Sequence, residues 1–423
     1  MQQAIKADDL ISAAEERLAS RFKEVDGIAL VNQERVLAAF RHHRLTEEYF
    51  AAHTGYGLDD AGREVLDNVF ASVFGGEAAC VRVQFVSGTH ALACAILGNV
   101  EPGGRFVCLT GPPYDSLEEV LGIAGDEPGS LKRLGVEYLE LDLDPLSQSE
   151  KTMIESIETV ESAGPVSVFY IQKSRGYSSS RRTFSGDDIA RLCQAVRKVS
   201  ASALIIVDNC YGEFVEDREP LSCGADLIAG SLIKNPGGGL AIAGGYIAGK
   251  RTAVDAALNR LTAPGVGGHM GLSFGENRLL FQGLFMAPFT VSQAVKGAML
   301  IAAVFEELGM RVSPGSMEER FDIIQQVEFG QADRLINFCK AVQRFSPVNA
   351  HVDPEPCRMP GYQDEVIMAG GTFVEGSTIE LSADGPLRPP YSAFIQGGLS
   401  YQHVKCTLGG ALALSLSMEL PFI

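Results

Sequence analysis

Between Val81 and Asp208 short apolar runs alternate with helix-patterned segments, and this alternation restricts the fold more than any other feature of the chain. Val81–Val86, Arg105–Leu109, Val136–Leu141, Val166–Ile171 and Ala203–Val207 read as strands. Thr89–Leu97, Ser116–Ile123, Lys151–Glu161 and Ser185–Val199 read as the helices between them. Strands separated by helices imply βαβ units and a mostly parallel sheet covered on both faces. The expected class is therefore α/β. Ahead of the sheet, positions 8–50 and 65–73 show helical spacing, the second ending at Gly75-Gly76. After Pro288 the organisation changes. Val291–Leu308 reads as one long helix, with shorter strands beyond it at Glu365–Met368 and Thr378–Leu381. The expected division is a helical segment 1–55, a large domain 56–290 and a smaller α+β domain 291–423.

Ligands of such sheets bind beyond the carboxyl ends of the strands, so the residues at those ends carry the functional reading. Asp208 follows Ala203–Val207. A further apolar run, Asp226–Gly230, leads into Ser231-Leu232-Ile233-Lys234 and the turn Asn235-Pro236-Gly237-Gly238-Gly239. A carboxylate and an amine at neighbouring strand ends suit pyridoxal phosphate. That cofactor needs a lysine to form a Schiff base with its aldehyde and an acid to keep its ring nitrogen protonated. Taken singly, Lys234 could be a surface lysine and Asp208 a helix cap.

Three other strand exits bear on the same reading. Ser87-Gly88-Thr89-His90 opens a helix, where backbone N–H groups and hydroxyls suit a phosphate, although a capped turn has the same sequence. Tyr114 follows the next strand and could stack on a planar cofactor or pack on its neighbours. Gln172-Lys173-Ser174-Arg175-Gly176-Tyr177 follows another, and Arg175 there could reach a ring oxygen or a substrate carboxylate. Tyr56 lies in a Gly-flanked loop well before the sheet. Arg388, in a Pro-rich turn of the small domain, suits bidentate capture of a carboxylate; in each of these loops a structural turn is an equal alternative.

Composition excludes several classes. A formal charge of −18 over 423 residues argues against nucleic acid and anionic membrane surfaces as partners. Nine cysteines without a C-x-x-C pair fit neither a disulfide framework nor a zinc site, so no metal is expected and a reducing cytoplasm is. No run of 18 uninterrupted apolar residues occurs, and the first residues lack the order of a signal peptide.

Together, Tyr56-Gly57, Ser87-Gly88-Thr89-His90-Ala91, Tyr114-Asp115, Ser174-Arg175-Gly176-Tyr177, Asp208-Asn209 and Ser231-x-x-Lys234-Asn-Pro-Gly-Gly resemble fold-type I pyridoxal phosphate enzymes. More narrowly, nearly the whole chain resembles the methionine γ-lyase-like proteins labelled aluminium-resistance proteins, relatives of cystathionine β-lyase. The resemblance implies that Lys234 carries the cofactor and Asp208 partners its ring nitrogen. It also implies that Ser87, Gly88, Thr89 and Ser231 hold the phosphate and that Tyr114 stacks on the ring. Tyr56 would reach the phosphate in a neighbouring subunit, within a tetramer built of two dimers that share active sites. The implied activity is β- or γ-elimination on methionine, cystathionine or cysteine, giving a thiol, a 2-oxo acid and ammonia, with Tyr114 as acid and Arg388 on the substrate carboxylate. Transamination and a non-catalytic role are the alternatives. Two positions depart from the better-studied lyases: Leu58 stands where they have Arg, and Ile233 where they have Thr or Ser.

Overall fold

The computed structural model describes residues 7–178, 181–359 and 364–423. The signal-peptide expectation falls largely on the first six residues, outside the described ones.

Seven strands form the large sheet: β1 Ala78–Arg82, β2 Arg105–Cys108, β3 Glu137–Glu140, β4 Val168–Gln172, β5 Leu204–Asp208, β6 Leu227–Ser231 and β7 Gly245–Gly249. Their spatial order is β1-β7-β6-β5-β4-β2-β3. β3, β2, β4, β5 and β6 are mutually parallel, and β7 runs antiparallel to both β6 and β1. The strands are near-continuous apolar runs because helices cover both faces, so most of their residues are buried whichever way they point. Five more strands, β8 Val312–Ser313, β9 Gln325–Glu328, β10 Val366–Ala369, β11 Ser382–Pro386 and β12 Ser392–Gln396, form a second, antiparallel sheet.

The helices are α1 Ala7–His42, α2 Ala61–Phe74, α3 Gly88–Asn99, α4 Asp115–Leu121, α5 Glu150–Ser162, α6 Gly186–Val199, α7 Arg251–Leu261, α8 Asn277–Glu307, α9 Ala332–Arg344 and α10 Tyr401–Leu416. Local chemistry sets several ends. Ser185 and Asp188 form a reciprocal capping box at the start of α6, and Gly75, at φ 78°, closes α2 in the left-handed region.

Four sequence expectations need correction. The first helix stops at His42, and Glu47–Phe50 is a separate 3-10 turn. The strand expected at Val81–Val86 ends at Arg82, which leaves Val83–Val86 as the approach to α3. The long helix begins at Asn277, well before Val291, so the expected boundary at 290/291 falls inside it. Thr378–Leu381 is not a strand. The Ile379 N–H donates to the carbonyl of Ile233 at 3.1 Å, and Glu380 turns inward as a loop clamp. α8 is also long and apolar enough on average to cross a membrane, but 83% of its most apolar window is buried inside the protein.

Candidate active site

β5 and β6 are neighbours in the sheet and end at Asp208 and Ser231, so both residues emerge at the same edge. Asp208 is buried. Its Oδ1 accepts the Cys210 backbone N–H at 3.0 Å and its Oδ2 the Tyr170 hydroxyl at 3.3 Å. Burial pushes its pKa above the usual carboxylate value, while Lys234 and these hydrogen bonds oppose the shift. The carboxyl group is thus held in one orientation before any ligand arrives.

α3 enters the same region. Ser87 is its N-cap, accepting the His90 N–H at 3.1 Å. Gly88 leaves little room: a β-carbon there would stand 3.0 Å from the Ser231 β-carbon and 3.6 Å from Cys210 Sγ. The first turn of α3, where the N–H groups of Gly88 and Thr89 precede the capped His90 N–H, therefore lies against Ser231 with no Gly88 side chain between them. Thr89 Oγ1 accepts the Tyr114 hydroxyl at 3.0 Å and is 3.2 Å from Ser116 Oγ. Burial, reinforced by Asp208, raises the Tyr114 phenol, so it keeps its proton at neutral pH.

Lys234 is half-buried just past β6. Its Nζ lies 3.9 Å from the centroid of the Tyr211 ring. Burial favours the neutral amine, but Cys210, Tyr211, Asp208 and Tyr114 together outweigh it and raise its pKa. The glycines after it let α8 approach: a β-carbon on Gly238 would stand 2.3 Å from the Gly283 carbonyl oxygen. Ser87, Gly88, Thr89, Tyr114, Asp208, Ser231 and Lys234 all border one cavity of about 350 Å³. Its far wall comes from the small domain, at Ile324, Glu375–Ser377 and Gln396.

Three expected site residues lie elsewhere. Arg388 borders an outer chamber of about 410 Å³ and pairs with Asp364 at 3.0 Å. This chamber shares Tyr114, Asp115, Gln172, Gly176 and Tyr177 with the inner cavity. Arg175 borders the outer chamber too, but its guanidinium serves the fold. Nη1 donates to the Ser313 carbonyl at 2.7 Å and Nη2 to Gln326 Oε1 at 2.7 Å, tying the large domain to the small one. Tyr56 is 71% exposed and does not line the cavity.

Other residues enter the site without having been expected there. Tyr170 is the readable one, a phenol carried by a strand buried on both faces. Tyr211, Cys210, Gln396 and the 375–377 loop had no comparable signal. Ile233 has a positional role: its carbonyl accepts Ile379 N–H, and its Cδ1 lies 4.0 Å from where a Gly376 β-carbon would be.

The methionine gamma-lyase family profile matches residues 7–415. The chain belongs to this family. A carbon-sulfur lyase involved in aluminium resistance from Clostridium novyi NT is 43% identical, with a TM-score of 0.90 over 96% of this chain and 95% of that one. A structure described as a candidate cystathionine beta-lyase involved in aluminium resistance, from Listeria innocua, is 44% identical, with a TM-score of 0.92 over 97% and 99%. The pyridoxal-5'-phosphate dependent protein YhfS from Escherichia coli, at 15% identity and TM-score 0.60 over 97% and 98%, shares the fold.

Proposed function

We propose that the protein is a pyridoxal phosphate-dependent carbon–sulfur lyase acting on a sulfur amino acid of the methionine, cystathionine or cysteine type. The observation that carries this reading is the single cavity shared by Asp208, Lys234 and the cradle between Gly88 and Ser231. When bound, the cofactor supplies an aldehyde for amines and a protonated ring that accepts electrons from a substrate Cα bond. The donors fit it. The first turn of α3, Thr89 and Ser231 would hold the phosphate. Asp208, fixed by Cys210 and Tyr170, would hold the proton on the ring nitrogen. Tyr114 would cover the ring.

The rest of the chemistry falls to side chains already placed. Lys234 Nζ would take the Cα proton. Tyr114, protonated because it is buried, is suited to give a proton to the leaving sulfur rather than to take one. Arg388, in the chamber outside the cavity, would draw the substrate carboxylate to the entrance.

Assembly belongs to the same reading. Arg63 Nη1 donates to the carbonyls of Gly57 and Gly271, both at 2.7 Å, so the Tyr56 loop is fastened to the 271–275 loop. On these fastened loops, and just before Ser87, stand Tyr56, Leu58, Phe274 and Val86, at 71%, 55%, 66% and 82% exposure. Rigid loops with apolar tips suit a second copy of the chain, which would bring Tyr56 to the partner's phosphate within a homotetramer. All nine cysteines are unpaired and seven are buried, in keeping with a cytoplasmic location.

The test is Lys234→Ala. Purified wild type given pyridoxal phosphate should show a visible absorption band and release 2-oxo acid and ammonia from a sulfur amino acid without an amino acceptor. The variant should do neither. A colourless wild type sinks the proposal, and an absolute need for an acceptor favours transamination instead.

A further inference from the structure

Tyr211 stands three residues past Asp208 with φ 69°, in the left-handed region that a tyrosine seldom occupies. Such a backbone is disfavoured for a residue with a side chain and persists only where its surroundings impose it. Here they do. The Gly212 N–H donates to the Asn209 carbonyl at 2.9 Å, and a β-carbon on Gly212 would stand 2.6 Å from Lys173 Cδ, so the turn is wedged in place. Tyr211 and Ser377 of the small domain line the same cavity. Glu380 holds that loop by accepting the N–H groups of Phe373 and Val374, both at 2.9 Å. The turn therefore fixes the ring, and Lys234 Nζ lies over its face at 3.9 Å from the centroid.

We propose that Tyr211 is a positioning residue for Lys234, its ring face holding the amine in its protonated form. This rests on the reading of Lys234 as the proton acceptor. The other groups around the amine are Asp208, Cys210 and Tyr114, with Asp384 of β11 acting on Tyr211 from the small domain. Burial disfavours the charged forms of Cys210 and Tyr114, and in the loaded enzyme Asp208 would serve the ring nitrogen. The aromatic face is then what remains to stabilise the ammonium formed when Nζ accepts the Cα proton. It also keeps that proton close enough to be returned.

The experiment compares wild type, Tyr211→Phe and Tyr211→Leu. Phe keeps the ring and loses the hydroxyl; Leu loses both. The first readout is reductive methylation of Lys234 across pH, followed by mass spectrometry on the full chain stripped of cofactor. Tyr211→Leu should move the midpoint down by about one pH unit, which is about tenfold more free amine at fixed pH. Tyr211→Phe should match wild type. In the loaded enzyme, Tyr211→Leu should lower kcat with little change in KM. An unshifted midpoint in folded Tyr211→Leu overturns the proposal, and so does Tyr211→Phe behaving like Tyr211→Leu. The methylation readout needs no cofactor, so a failed lyase reading would show separately, as a wild type without a visible band.

Discussion

Asp384 offers a quantitative test of how the two domains meet. It sits on β11 without solvent exposure. Its Oδ2 accepts the hydroxyl of Tyr177, which lines the cavity, at 3.1 Å, and its Oδ1 has no partner among the described residues. Burial pushes its pKa up from 3.8 to about 7, against smaller opposing contributions from Tyr177 and Ser382. Between these two values the folded protein holds a proton that the unfolded chain has released. Stability is therefore fully present below about pH 4, falls as pH rises, and levels off above about 7. At about 1.4 kcal/mol per unit, the loss approaches roughly 4 kcal/mol as an upper bound. For a chain of this size that is about 4 °C in Tm. Asp384→Asn removes the titration and keeps the shape. Thermal unfolding from pH 4.5 to 8.5 should show the wild-type Tm falling by several degrees more than the variant's. Part of the slope should survive, because burial also raises Glu213, to about 8, where it accepts the Tyr246 hydroxyl at 2.9 Å. A variant with the full wild-type slope would refute the assignment.

Gly88→Ala should leave the fold intact, since alanine suits a first helical turn, yet cut pyridoxal phosphate affinity about tenfold by forcing the cradle open against Ser231; cofactor titration followed by absorbance checks this. Unaltered affinity would place the phosphate elsewhere. If Tyr56 acts across subunits, then mixing inactive Tyr56→Ala chains with inactive Lys234→Ala chains should restore up to about a quarter of the sites by random pairing. Mixtures that stay inactive, despite subunit exchange seen by mass spectrometry, would confine each site to one chain.

The large sheet was readable because strands buried on both faces must be apolar along their whole length, whereas helices must be periodic. β7 escaped notice because Gly245–Gly249 is glycine-flanked and small, a composition dictated by close neighbours: a β-carbon on Gly245 would stand 2.8 Å from Ala91 Cβ. The chemistry was readable only where topology forces residues together. Asp208 and Ser231 end adjacent strands, so their proximity follows from the βαβ pattern alone. Arg175 and Arg388 show the limit. Both are arginines in polar turns, and nothing local tells which guanidinium is consumed inside the protein. That depends on Ser313 and Gln326, more than a hundred positions away.

Ile233 shows how such distant contacts reshape a familiar motif. Where the better-studied lyases have a hydroxyl beside the lysine, this chain has an apolar side chain whose Cδ1 lies 4.0 Å from where a β-carbon on Gly376 would be, and a carbonyl that accepts the Ile379 N–H. A hydroxyl there could offer a phosphate one more hydrogen bond. Isoleucine offers a domain contact beside Lys234 instead. The same loop brings Ser377 to the cavity that Tyr211 also lines, and Tyr211 carries its ring to Lys234. On this geometry the departure at Ile233 and the strained tyrosine belong to one arrangement. It makes the position of the lysine depend on the small domain, which also forms the cavity's far wall at Glu375 and Gln396. Substitutions along 373–381 should accordingly alter Lys234 reactivity as well as substrate choice.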